Sequence, residues 1–89
     1  VYAFNDIDAQ APVHFLIVPK EHIESADDLT KDNKDLIGHI YLVAQKLAKE
    51  KGLTNGYRIV NNCKVDGGQT VNHIHFHVLG GRSMQWPPG

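Results

Sequence analysis

The stretch VNHIHFHVLGG, residues 71–81, alternates two kinds of side chain with a period of two. Ile74, Phe76 and Val78 share one parity. His73, His75 and His77 share the other, with Val71 and Leu79 at its ends. An extended strand sends successive side chains to opposite faces. The stretch therefore predicts a strand with an apolar face on a core and a row of imidazoles on the other face. Alternate side chains then stand about 6.6 Å apart along the strand. The row is held by backbone geometry, and its groups titrate near neutrality.

The rest of the chain must supply the core that this strand faces. VYAFNDI (1–7) reads as a short strand ending at Asn5-Asp6, and DAQAP as a turn punctuated by Pro12. VHFLIVPK (13–20) is an apolar, β-branched run closed by Pro19 and reads as a strand. KEHIESADDL reads as irregular. From about Asp32 to Lys51 the period changes, and Leu36, Ile37, Ile40, Val43, Ala44 and Leu47 recur at helical spacing. Thr30 or Asp32 is placed to cap this helix, and Gly52 to end it. GYRIVNN (56–62) reads as a strand, CKVDGGQT (63–70) as a loop around a Gly-Gly pair, and RSMQWPPG as an extended tail. The order strand, strand, helix, strand, strand predicts an α+β fold, a mostly antiparallel sheet with one main helix.

At 89 residues the chain reads as a single domain, 1–89, with a modest core that a partner subunit would help to cover. Its opening on VYAF leads us to expect a preceding N-terminal segment in the natural protein. A formal net charge of -1 provides no basic field for nucleic acid. No apolar run approaches the roughly 20 residues of a membrane span, and no signal peptide is visible. The single cysteine, Cys63, allows no internal disulfide, which suits a reducing, cytoplasmic setting.

Three chemistries compete for the histidine row. A solvated strand face would tolerate the imidazoles without using them. A metal site would take two of them, with His22 or His14 as a third ligand and Asp66 as a further candidate. A straight strand does not easily bring all three onto one ion. Chemistry on a phosphate group would set a neutral imidazole against phosphorus and its neighbours against the oxygens. The adjacent DGGQT (66–70) favours the last reading. Its glycines let backbone N–H groups approach an anion, and Gln69 and Thr70 add an amide and a hydroxyl.

HIHFHVLGG resembles the signature of the histidine triad (HIT) superfamily, His-φ-His-φ-His-φ-φ with φ apolar. DIDAQAPVHFLIVPKEHI resembles the first block of its Hint branch, the purine nucleoside phosphoramidases. GYRIVNNCKVDGGQTVNHIHFHVLGGRSMQWPPG resembles the last block through to the terminal WPPG. The likeness covers nearly the whole chain. It implies a HIT-like fold, dimeric, with a sheet continuous across the two-fold. It also implies hydrolysis of AMP-amine P–N bonds through a covalent nucleotidyl-histidine, with a purine nucleotide as substrate. No metal or other cofactor is implied, because hydrogen-bond donors do the charge work.

By this resemblance His75 is the nucleophile and His77 donates to the phosphate. The backbone carbonyl of His73 orients the ring of His75, and His22 is a fourth histidine behind the triad. Asp6 holds the ribose hydroxyls, with Ile7 against the base. Asn62, Gly68, Gln69 and Thr70 form the phosphate loop; the proton that the leaving amine needs would be relayed by Thr70 or by an imidazolium. Trp86 is delivered to the neighbouring subunit's site. Thr70 stands where the family has serine, Asn72 where an aromatic is frequent, and Cys63-Lys64-Val65 departs from the usual loop. The alternatives are a dinucleoside polyphosphate hydrolase of the same superfamily and a nucleotide-binding regulatory module with little turnover.

The remaining candidates read more plainly. His14 reads as a structural strand residue, His39 as solvated off the helix stripe, and Cys63 as a free thiol. Arg82 is placed to meet a phosphate or a carboxylate. Trp86 in an open tail reads as an interface aromatic. GYRIV is the candidate edge strand to pair with its copy across a two-fold axis.

Overall fold

The structure, a computed structural model, covers Val1–Gly89. Four strands, β1 (Tyr2–Asn5), β2 (Val13–Val18), β3 (Tyr57–Val60) and β4 (Phe76–Gly80), accompany one α-helix, α1 (Lys34–Glu50). The sheet order is β1-β2-β4-β3, and every neighbouring pair is antiparallel. The α+β expectation holds. β3, inside GYRIVNN, lies at one edge of the sheet and β1 at the other.

Register brings the apolar parities together. Phe15 stands opposite Val78, Ile17 opposite Phe76, and Ile59 opposite Val78. Helix α1 covers this face with Ile40 and Ala44, while Leu36, Ile37, Val43 and Leu47 pack around them. Phe15, Ile17, Ile40, Ile74 and Val78 are essentially sealed from solvent. Each such side chain contributes roughly 1.5–3 kcal/mol of burial.

The helix begins later than its pattern. A 3-10 turn, Lys31–Asn33, precedes it, closed by a capping box in which the Thr30 N–H donates to Asn33 Oδ1 at 2.9 Å. Thr30, not Asp32, caps this turn, while the N-cap position of α1 itself is Asn33, whose side chain bonds back to Thr30 and not to the helix. At the far end Gly52 takes φ +77°, a left-handed conformation that glycine adopts without a Cβ penalty.

The last strand is shorter than VNHIHFHVLGG predicts. Only Phe76–Gly80 pairs as a strand, and residues 71–75 leave the ladder. Extending the β2–β4 register places Pro19 opposite Ile74. Proline has no N–H to continue the ladder. The Ile74 N–H donates instead to the carbonyl of Ile23 at 2.7 Å. On the other side the Asn61 amide donates to the carbonyl of His75 at 2.9 Å, just where β3 has ended. The alternation of faces nevertheless persists. Ile74, Phe76 and Val78 are buried, and the three histidines are part-exposed on the opposite side.

The segment KEHIESADDL is more ordered than its sequence suggests. It contains a 3-10 turn, Ala26–Asp28, capped by the Ser25 hydroxyl. It backs the triad, because Ile23 receives the Ile74 N–H and His22 touches His73.

Candidate active site

A cavity of about 590 Å³ opens on the sheet face away from α1. That volume falls in the range of small-molecule sites, about 300–1,000 Å³. Phe4, Ile7, Leu16, Val18 and Val71 supply an apolar wall, and Asp6, Thr70, His73, His75 and His77 the polar groups. The antiparallel register explains the mixture. Leu16 stands opposite both Phe4 and His77, so all three share one face.

Hydrogen-bond partners assign the proton on each ring. His75 Nδ1 lies 2.9 Å from the carbonyl oxygen of His73. A carbonyl only accepts, so Nδ1 carries the proton and Nε2 keeps a free lone pair. His73 Nε2 donates to the carbonyl of Pro19 at 3.0 Å. Its Nδ1 therefore accepts, and His22 Nδ1 donates to it at 3.0 Å. His14 Nδ1 accepts the backbone N–H of Gln10 at 3.0 Å, which leaves its proton on Nε2. That Nε2–H points at His77 Nδ1, 2.9 Å away, so the neutral His77 ring carries its proton on Nε2. The rings of His75 and His77 lie 5.1 Å apart, edge to face. Burial, with smaller effects from His75 and His14, holds the His77 imidazole below its ordinary pKa, and Asp6 pulls the other way.

The cavity thus presents a lone pair on His75 and an N–H donor on His77, side by side. Thr70 adds a hydroxyl with no partner in the chain, and the backbone N–H groups of Thr70 and Val71 are likewise free.

Several predicted residues do not line the cavity. His22 is exposed and sits behind His73, outside the cavity. Asn62, Gly68, Gln69 and Trp86 do not line it. The Gln69 side chain is fully used inside the chain. Its oxygen accepts the Lys64 N–H at 2.8 Å, and its nitrogen donates to the carbonyls of Glu24 and Val71 at 2.6 and 2.9 Å. Gln69 therefore shapes the loop. Gly67 has no room for a Cβ, which would collide with the backbone of Cys63, and Gly68 takes φ +78°. Arg82 donates to the carbonyls of Gln10 and Ser83 and pairs with no carboxylate of the chain. Trp86 is exposed at the end of the chain.

By sequence His14 reads as structural, with a metal ligand as the alternative, and Asn61 is not singled out. His14 had a signal: it shares the parity of Leu16 and Val18, which an antiparallel partner places on the histidine face. Asn61 had none, because its amide replaces a ladder bond that only the folded register reveals. Asp6 Oδ2, His14 Nε2 and His77 Nδ1 converge as three potential metal-ligand atoms. The Gln10 N–H on His14 argues for a different use, since Nε2 then offers a proton and no lone pair.

This arrangement, two imidazoles of opposite hydrogen-bonding sense over an apolar cleft, is that of an α+β domain built around a histidine row. A family model for the HIT domain matches residues 1–84, and the chain belongs to the HIT family. A HIT-like protein of Synechococcus elongatus is 49% identical over 87 residues, covering 98% of this chain and 76% of the relative. The crystal structure of a HIT family hydrolase from Legionella pneumophila Philadelphia 1 superposes with a TM-score of 0.96 at 52% identity, covering 98% of this chain and 79% of that one. A histidine triad nucleotide-binding protein from Candida albicans superposes with a TM-score of 0.77 at 30% identity, covering 97% and 67%. No helix is long and apolar enough to cross a membrane.

Proposed function

We propose that the chain is a Hint-type hydrolase that cleaves AMP-amine P–N bonds through a nucleotidyl intermediate on His75. The observation that carries this reading is the His75 Nδ1–H held on the His73 carbonyl, which aims an unprotonated Nε2 into the cavity. Asp6 receives the ribose hydroxyls, and Phe4, Ile7, Leu16 and Val18 provide an apolar bed for the purine. Gly68 and Gln69 shape the loop that carries Thr70, their own N–H groups donating to the carbonyls of Val65 and Lys64, with Asn62 at its stem.

In the first step His75 Nε2 attacks phosphorus, an N–P bond forms, and the P–N bond to the amine breaks. The departing amine takes a proton that enters from solvent through the Thr70 hydroxyl. In the second step water attacks phosphorus, the bond to His75 breaks, and the water returns a proton to solvent. His77 Nε2–H and the free N–H groups of Thr70 and Val71 bind the charge on the phosphoryl oxygens in both steps. The scheme uses no metal ion.

The same reading makes the protein a cytoplasmic homodimer paired through the β3 edge, with Trp86 reaching the partner's cavity. The exposed Tyr41 and Leu42 give α1 an apolar surface of its own, which a partner subunit would cover. A monomer mass by light scattering at micromolar concentration would remove this part of the proposal.

The test incubates the protein with adenosine 5′-phosphoramidate and EDTA. AMP release, with an adenylyl adduct on His75 in a quenched sample, is the expected result. AMP binding without release would favour a regulatory nucleotide-binding module.

A further inference from the structure

One proton links two walls of the cavity. His14 is 6% exposed and is not part of the cavity surface. Its Nε2–H has two acceptors within reach, Nδ1 of His77 at 2.9 Å and Oδ2 of Asp6 at 3.4 Å. The other oxygen of Asp6 is held by the Asp8 N–H at 2.8 Å, which fixes the carboxylate. Asp6 Oδ2 and His77 Nδ1 lie 3.8 Å apart. Both are acceptors, so neither bonds the other, and what passes between them passes through His14.

We infer that His14 is a positioning residue that makes recognition of the sugar and of the phosphate one event, by sharing its Nε2–H between Asp6 and His77. This rests on reading the cavity as a nucleotide site. When ribose hydroxyls donate to Asp6, the carboxylate draws less on the His14 proton. The N–H then turns to His77 Nδ1 and fixes His77 in the tautomer whose Nε2–H meets the phosphoryl oxygens. A nucleotide without those hydroxyls leaves the N–H divided. The sugar contact therefore acts on turnover as well as on affinity.

Nitrogen NMR of the histidine rings, on the whole chain titrated with AMP or 2′,3′-dideoxy-AMP, tests the coupling. The expected spectrum has His14 and His77 protonated at Nε2. Saturating AMP sharpens the Nε2–H state of His77, and the dideoxy nucleotide does so less. His14→Leu should give His77 a mixture of tautomers and erase the difference between the two nucleotides. The kcat preference for the ribo over the dideoxy phosphoramidate, about 10-fold at a typical coupling strength, should fall toward unity. His14→Gln, which restores a donor amide, should recover part of both. Circular dichroism confirms that each variant is folded.

Three results overturn the inference: a His77 proton on Nδ1 in the unsubstituted chain, nucleotide discrimination that survives His14→Leu, or no response of His77 to AMP. Failure to hydrolyse phosphoramidates, with the tautomer response intact, would remove the hydrolase reading alone.

Discussion

The two faces of the β2–β4 pair share one backbone and obey different rules. On one face Phe15, Ile17, Phe76 and Val78 meet α1, and their content is volume and burial. On the other face His14, His75 and His77 meet loops and open space, and their content is the placement of protons. A change of one methylene is felt on the first face. A change of one hydrogen-bonding sense is felt on the second. Stability and chemistry are thereby separated across the thickness of a single strand.

The largest effect that would expose this separation comes from His75→Asn. It removes the Nε2 proposed as nucleophile, and turnover of the phosphoramidate should fall on the order of 10⁴-fold or more. The melting temperature should barely move, since His75 packs no core. Near-full turnover in this variant would show that the histidine face works through another group.

The converse substitution is Ile40→Ala on α1. Ile40 is completely buried in the cluster with Phe15 and Val78. The loss should be roughly 2–5 kcal/mol in urea unfolding. Below the midpoint, kcat per folded molecule should stay close to its original value. A parallel loss of kcat would mean that the two faces are not independent.

Much of the core face could be read in the chain itself. The period-two pattern of 74–78 and the helical stripe from Leu36 to Leu47 are direct signatures of burial. The site face could be read as far as its histidine row, its Gly-Gly loop and its resemblance to a known family. Three things could not be read, each because it depends on tertiary register. The strand stops short of His75 because Pro19 falls opposite Ile74. His14 joins His77 only once β2 and β4 align. Gln69, an amide beside the Gly-Gly pair, spends its whole side chain on Lys64, Glu24 and Val71.

The two histidine contacts that flank His75 sharpen the comparison further. His14 is buried against His77, whereas His22 is exposed against His73. His73 also keeps a second hold, on the Pro19 carbonyl. His22→Ala should therefore lower kcat only a few-fold, the scale of one solvent-accessible hydrogen bond. A loss of about 100-fold or more, the scale of acid–base participation, would place His22 in the working face after all.

Proton placement also gives the site face its own pH dependence. The His77 pKa is lowered in the folded chain, chiefly by burial. The unfolded chain then takes up this proton at a higher pH than the folded one. The stabilising contribution is present above the ordinary imidazole value of about 6.5 and is lost as pH falls through the lowered folded value. His77→Gln should flatten that acid-side decline in a series of urea titrations. An unchanged slope would assign the decline to other groups.

The smallest effect belongs to the Lys64–Asp27 ion pair, which ties the loop to the segment behind the triad at 2.6 Å. Each partner shifts the other as opposite charges must: Asp27 is lowered and Lys64 raised, chiefly by their shared hydrogen bond. Both groups are exposed, however, and water and salt screen such a pair. Gln69 already anchors the same loop to Glu24 through a partly buried amide. Lys64→Ala should leave the melting temperature unchanged and alter KM by less than about threefold. A larger KM change that disappears in high salt would show that the loop is held by charge, and that the site face extends further into the solvent than its hydrogen bonds do.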